Sequence, residues 1–218
     1  MNVAIIKYNA GNIRSVDHAL KRLGVSAMIT DDPEKIISAD KVIFPGVGEA
    51  VTTMAYLKER GMDRLIAGLK QPVLGICLGQ QLMCSWSEEG DTACIGIFDE
   101  PVRHFPVNDR KVPHMGWNSI SGVKGGLFEP PLKGSVDDSM NGSSGDLLEG
   151  SMEDSLEGAY VYFVHSYYVP ACEDTAAQCD YMLPFSAAMQ KGNFYATQFH
   201  PEKSGEPGQQ ILSNFLQL

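Results

Sequence analysis

The stretch Pro72-Val73-Leu74-Gly75-Ile76-Cys77-Leu78-Gly79-Gln80-Gln81 sets a cysteine between two glycines at the end of an apolar run. Pro72 to Ile76 reads as a buried strand and Gln80 to Trp86 as a helix, so G-x-C-x-G occupies the turn between them. That is the form of a nucleophile elbow. The nucleophile sits on a sharp, strained turn, and a Cβ on either flanking glycine would collide with the neighbouring strand or helix. The positive N-terminal end of the following helix favours thiolate at the sulfur. Cys77 is the candidate nucleophile, weighed against the commoner fate of a free cysteine as core; Cys84, without the glycine context, reads as core.

Upstream, Val3 to Ile6 is a short apolar run, Asn9-Ala10-Gly11-Asn12 a turn, and Ile13, Val16, Ala19, Leu20 and Leu23 a helical pattern ending at Gly24. A strand at Ser26 to Thr30, a turn at Asp31-Asp32-Pro33 and a second buried run at Lys41 to Phe44 follow. Pro45-Gly46-Val47-Gly48 stops that run, and helical spacing resumes over Glu49 to Leu57 and Met62 to Leu69. Near-continuous apolar strands alternating with helices imply an α/β fold with a mostly parallel central sheet flanked by helices on both faces. From Val102 the strands become shorter and richer in aromatics (Val102 to Phe105, Ala159 to Val164, Phe185 to Met189, Phe194 to Phe199) before a last helix over Gly208 to Leu216. Mixed or antiparallel additions are expected there.

At 218 residues, with 44% hydrophobic and 20% charged residues, one large domain spanning 1–218 is favoured. The net charge of −10 argues against nucleic acid or an anionic membrane as partner. Seven acidic residues and no Lys or Arg lie between Gly134 and Gly158, where Gly134-Ser135-Val136-Asp137-Asp138-Ser139 recurs weakly as Gly150-Ser151-Met152-Glu153-Asp154-Ser155. This Ser/Gly-rich stretch, at about 129–158, reads as a surface insertion. No apolar run reaches the roughly 18 residues of a membrane span and the N-terminus enters directly into a strand, so a cytoplasmic protein is expected. Five irregularly spaced cysteines without a C-x-x-C pair suggest reduced thiols and neither disulfides nor structural zinc.

A thiolate nucleophile wants an acid/base partner. Of the five histidines, His200 alone has suitable company: in Gln198-Phe199-His200-Pro201-Glu202 it follows an apolar strand, and in extended geometry Glu202 points to the same side with Pro201 fixing the intervening φ. A carboxylate there could hold the imidazole tautomer; alone, the pair could equally be a strand-end surface feature. A zinc deaminase would need P-C-x-x-C downstream, which is lacking, so no metal is expected. Pro45-Gly46-Val47-Gly48, again between strand and helix, suits an oxyanion hole with the Val47 amide as donor. It is neither a dinucleotide fingerprint nor a P-loop.

Together Pro45-Gly46-Val47-Gly48, Gly75-Ile76-Cys77-Leu78-Gly79-x-Gln81 and His200-Pro201-Glu202 resemble the class I (triad) glutamine amidotransferases, a fold of flavodoxin-like layers. Tyr8 to Asn12, Val112 to Asn118, Val164 to Tyr168 and Gln198 to Ser204 are similar to the glutaminase subunits of imidazole glycerol phosphate synthase. The resemblance covers about residues 2–128 and 157–217, and an insertion between them is not a family expectation. It implies a Cys77, His200, Glu202 triad, an oxyanion hole from Val47 and Leu78, and glutamine contacts from Gly46, Gly48, Gln81 and the backbone of His165, Ser166 and Tyr167. It also implies L-glutamine as substrate, no cofactor, and a heterodimer with a (β/α)8 cyclase that uses the ammonia in histidine biosynthesis. Another triad amidotransferase, a γ-glutamyl hydrolase and a glutaminase for pyridoxal-phosphate synthesis are the enzymatic alternatives. A binding module that has lost turnover is the non-enzymatic one.

Overall fold

Alternation along β1 (Val3–Ile6) shows how the layers form: Val3 and Ile5 face one core, Ala4 and Ile6 the other, and all four are buried. The computed structural model describes residues 1–8, 12–107, 110–129 and 156–218. After β1 come α1 (Ile13–Arg22), β2 (Ala27–Thr30), α2 (Pro33–Ile37), β3 (Lys41–Gly46), α3 (Ala50–Glu59), α4 (Met62–Gly68), β4 (Val73–Cys77) and α5 (Leu78–Met83). The second half adds the short strands β5 (Trp86–Ser87) and β6 (Thr92–Ala93), then β7 (Pro101–His104), β8 (His114–Ser119), β9 (Tyr160–His165) and β10 (Tyr167–Tyr168). It closes with β11 (Thr175–Tyr181), β12 (Leu183–Lys191), β13 (Phe194–Thr197), a 3-10 turn at Pro201–Lys203 and α6 (Gly205–Gln217).

The main sheet has the order β11-β12-β13-β4-β3-β1-β2. Its β13, β4, β3, β1 and β2 are parallel, and β12 and β11 extend one edge antiparallel. One face packs Leu74 and Ile76 against α1 and α6 through Leu20, Ile211 and Phe215; the other packs Val42, Phe44 and Val73 against Ile36, Met54, Leu57 and Ile66. Each such fully buried side chain contributes about 1.5–3 kcal/mol. β4 lies centrally, so its C-terminal end, which carries Cys77, is held from both sides. A two-stranded sheet, β8 against β9, and a four-stranded one, β10-β7-β5-β6, cover that end.

Several elements differ from the sequence reading. Asp31-Asp32-Pro33 is not merely a turn: Asp32 caps α2, its carboxylate accepting the Glu34 N–H at 3.1 Å, with Pro33 at the first helical position. The helix after Cys77 starts at Leu78 and ends at Met83, because the chain turns there so that Trp86 can join β5. The last helix begins earlier, at Gly205. The sequence reading places no strand at β8, whose alternation is inverted with His114 inward and Met115 and Trp117 outward, or at β11, where Ala177, Cys179 and Tyr181 alternate with Gln178 and Asp180. The turn at Asn9 to Gly11, and all but the two ends of the expected insertion, lie outside the described residues.

Candidate active site

Cys77 closes β4 with φ 54° and ψ −108°, a conformation L-residues rarely adopt, and α5 begins at the next residue. The turn needs its glycines. A Cβ on Gly79 would overlap the Phe44 carbonyl oxygen, one on Gly75 would meet the Met83 sulfur at 2.9 Å, and one on Gly46 would overlap Gly79 N and Leu78 Cβ. Gly46 is the register partner of Cys77. Its lack of a side chain therefore lets α5 close onto β3, while Val47 and Gly48, the next residues of the motif, line the cavity described below. The Tyr8 hydroxyl, buried against the Phe44 ring, donates to the Pro45 carbonyl and ties β3 to the end of β1.

A cavity of about 390 Å3 opens over the elbow. Val47, Gly48, Cys77, Leu78, Gln81, His165, Ser166, Tyr167 and His200 all line it, so strands far apart in the chain contribute to one wall. Glu202 stands behind, its Oε1 2.8 Å from His200 Nδ1. The expected extended geometry is not how they meet: Pro201–Lys203 is a 3-10 turn that folds Glu202 back under the ring. Ser204 Oγ holds that turn, donating to the His200 carbonyl at 2.6 Å and accepting the Tyr162 N–H at 3.0 Å. His200 Nε2 is buried without a partner among the described residues. Burial works against a charge on this ring, but the Cys77 sulfur and the Glu202 carboxylate outweigh it and lift the imidazole to about 10.

Adjacent amides divide their work. Gln81 Nε2 donates to the Tyr167 carbonyl at 3.1 Å and to Gln198 Oε1 at 3.0 Å on the cavity side. Gln80 turns away to donate to the Ser186 carbonyl at 3.0 Å, inside the fold. Gln81, the one that spacing from the cysteine favours, lines the cavity. The Cys77 sulfur lies 3.8 Å from the Val164 carbonyl and 3.8 Å from Gln198 Nε2. Cys84 is buried, as its context suggests, and none of the five cysteines is paired.

Three further residues, given no role in the sequence reading, stand at the site. Glu89 lines the cavity, its carboxylate accepting the Ala50 N–H at 2.7 Å, and burial raises its pKa; in Ser87-Glu88-Glu89-Gly90 it looks like any solvated acidic pair. Asn12 Nδ2 donates to Glu202 Oε1 at 3.3 Å from the start of α1, and no local pattern links the two. Gln198 couples Gln81 to the sulfur, and the only hint is its place two residues before His200 on the same strand end.

The chain matches the glutamine amidotransferase class-I family over residues 4–218. It is 60% identical over 220 residues to the imidazole glycerol phosphate synthase subunit HisH of Bacteroides fragilis strain YCH46, with 100% of both chains covered. It is 42% identical over 223 residues to the protein of that name from Vibrio cholerae, covering 100% of this chain and 98% of the relative. A solved crystal structure of a glutamine amidotransferase superposes with a TM-score of 0.69 at 18% identity, covering 99% of this chain and 97% of that one, a likeness of fold.

Proposed function

Since the chain belongs to the class I glutamine amidotransferases, and within them to the HisH subunits of imidazole glycerol phosphate synthase, we propose that it is the glutaminase half of that synthase. It hydrolyses glutamine to glutamate and ammonia through a thioester on Cys77 and hands the ammonia to a cyclase partner in histidine biosynthesis. The observation that carries this reading is Cys77 and His200 on one cavity, with Glu202 2.8 Å behind the imidazole. The cavity, about 390 Å3, is at the small end of ligand sites, roughly 300–1,000 Å3, and suits a single amino acid.

The Cys77 thiolate attacks the carboxamide carbon, and the carbonyl electrons move to oxygen, where the Val47 and Leu78 N–H groups stabilise the charge. Leu78 supplies a donor because the first N–H of a helix has no intrahelical acceptor. His200, charged at neutral pH, gives its Nε2 proton to the nitrogen; the C–N bond breaks, and ammonia leaves a glutamyl thioester. Neutral His200 then takes a proton from water, the hydroxide adds, the thiolate departs and glutamate is released. Glu202 holds the Nδ1 proton throughout. Gln81, Gly48 and the His165 to Tyr167 backbone hold the substrate, and the Glu89 carboxylate offers a partner for its α-ammonium.

Met115, Trp117 and Tyr160 are exposed on the face of β8–β9 opposite His114 and His165, the face that also carries the cavity-lining Val164. An apolar patch beside the cavity is where the cyclase docks. Among the described residues no helix is long and apolar enough to cross a membrane, and the reaction runs in the cytoplasm. Residues 1–218 act as one amidotransferase domain with the acidic stretch at about 129–158 inserted. The test is glutamate release by the chain with and without a cyclase partner plus the cyclase's own ligand. Turnover of glutamine that depends on the partner is expected; cleavage of γ-glutamyl peptides by the chain alone would replace this reading with a γ-glutamyl hydrolase.

A further inference from the structure

The reaction steps above make no use of two buried imidazoles, His114 and His165, which are register partners across β8 and β9. Aromatic packing locks both ring planes. His114 is stacked between Tyr181 and Phe163, with centroids at 3.9 and 4.7 Å, and His165 is held by Phe105 and Phe185 at 5.3 and 5.2 Å. Their nitrogens meet end to end. His165 Nδ1 lies 2.7 Å from the Tyr167 carbonyl oxygen, His114 Nδ1 lies 3.0 Å from His165 Nε2, and Asn118 Nδ2 lies 3.5 Å from His114 Nε2.

Donor and acceptor rules leave one arrangement. A carbonyl oxygen only accepts, so His165 carries its hydrogen on Nδ1, and as a neutral ring it has an acceptor at Nε2. His114 must then donate from Nδ1, which leaves its Nε2 to accept. The Asn118 amide is oriented to supply that donor, because its Nδ2 also donates to the Asp180 carbonyl at 3.0 Å while its Oδ1 accepts the Ser119 N–H at 2.8 Å. A proton added to either ring would set an N–H of His114 against the Asn118 N–H. Burial is the main force keeping both rings uncharged, with Arg110 facing His114, and His114 and His200 facing His165, adding to it. Tyr181 is the other titratable group stacked on the pair.

The relay ends on an atom that matters. The Tyr167 carbonyl that His165 engages also accepts from Gln81 Nε2 at 3.1 Å, and Ser166 and Tyr167 form the cavity wall. We propose that His114 and His165 are positioning residues, a neutral hydrogen-bond relay running one way from Asn118 that sets the place of the Tyr167 carbonyl and of the Gln81 amide. It thereby governs how tightly glutamine is held and leaves the speed of thioester formation unchanged. The kinetic half of this assignment rests on the cavity being the glutamine site; the tautomer half does not.

Two measurements test it. In the full chain labelled with 15N-histidine, long-range proton–nitrogen spectra are expected to show Nδ1–H tautomers for both rings and no titration between about pH 5.5 and 8.5. An Nε2–H tautomer, or titration of either ring in that range, overturns the relay whatever the protein's activity. In the complex with a cyclase, His114→Phe keeps a flat ring without a donor and should raise the glutamine KM about tenfold with kcat within about threefold. His114→Asn, whose amide can donate where Nδ1 does, should restore KM to within about threefold of the parent. Equal impairment of both variants, or an unchanged KM in His114→Phe, overturns the positioning role. A parent complex that releases no glutamate sinks the glutaminase reading, and the tautomers then decide the relay alone.

Discussion

The two walls of the cavity are made in opposite ways. The wall carrying Cys77 is built from β3, β4 and α5, close neighbours in the chain, and is held by glycines at places where a side chain would not fit. The opposite wall is built on β8–β9, which joins residues 51 apart, buries His114 and His165, and leaves Met115 and Trp117 exposed. Steric exclusion makes the first wall stiff: a close-packed contact has no alternative arrangement. Hydrogen bonds hold the second, each with a net value of about 1 kcal/mol, so its geometry is adjustable by single groups. A nucleophile needs the first kind of support, and a substrate cradle is served by the second.

The contrast can be broken most decisively at the sulfur. Cys77→Ala should lower glutamine-dependent synthesis by the complex by at least about 10^4-fold while ammonia-dependent synthesis stays within about threefold. Loss of both activities would make the elbow cysteine structural. Behind it, His200→Ala should slow thioester formation by about 10^3-fold and Glu202→Gln by about 10- to 100-fold, since the 3-10 turn and Asn12 still orient that side. Rapid-quench measurement of the acyl-enzyme ranks the two, and a reversed order would move the main burden onto the carboxylate.

Stability separates the walls next. Gly79→Ala drives a methyl into the Phe44 carbonyl and should cost about 3 kcal/mol. Gly116→Ala on β8 has open space and only a φ of 131° to oppose it, for about 1 kcal/mol. Urea midpoints compare them, and equal costs would remove the claim that one wall is sterically stiff. Gln81→Leu should raise the glutamine KM about tenfold, whereas Gln80→Leu should leave KM unchanged and register in the urea midpoint alone.

The pH dependence of folding separates the histidines of the two walls. His200 is lifted to about 10, so the stability from charging it is full below the unfolded value of about 6.5 and is lost as pH rises through about 10. His114 and His165, lowered by burial to about 4 and about 3, act in the other direction: their contribution is full above about 6.5 and declines as pH falls towards those values. Urea midpoints of the parent against His200→Gln and His114→Asn should therefore diverge on opposite sides of neutrality. A shared window would refute the division.

How much of this was legible follows the same line. The elbow was, because G-x-C-x-G at a strand end states a local requirement on φ and on Cβ. The layers were too, since buried parallel strands read as apolar runs. The start of α2 was written in Asp32-Pro33-Glu34, but five helical residues give periodicity nothing to repeat. β8 was hidden because its pattern is inverted: polar His114 and Asn118 face inward and apolar Met115 and Trp117 outward, which hydropathy alone assigns the wrong way. The close approach of Gly46 to α5 was not legible, since a glycine needed for close approach and one needed for a ligand look alike in a string of letters.

By itself, then, the sequence determined the kink that presents Cys77, the parallel core beneath it, and the choice of Cys77, His200 and Glu202 as candidates for the chemistry. These depend on backbone conformation and on side-chain volume within a few residues. Only the tertiary structure decided that Glu89 lines the cavity, that Asn12 donates to Glu202 and Gln198 accepts from Gln81, and that two further histidines face each other. Burial and hydrogen-bond partners are set by strand register between distant segments, and register is a property of the packed sheet.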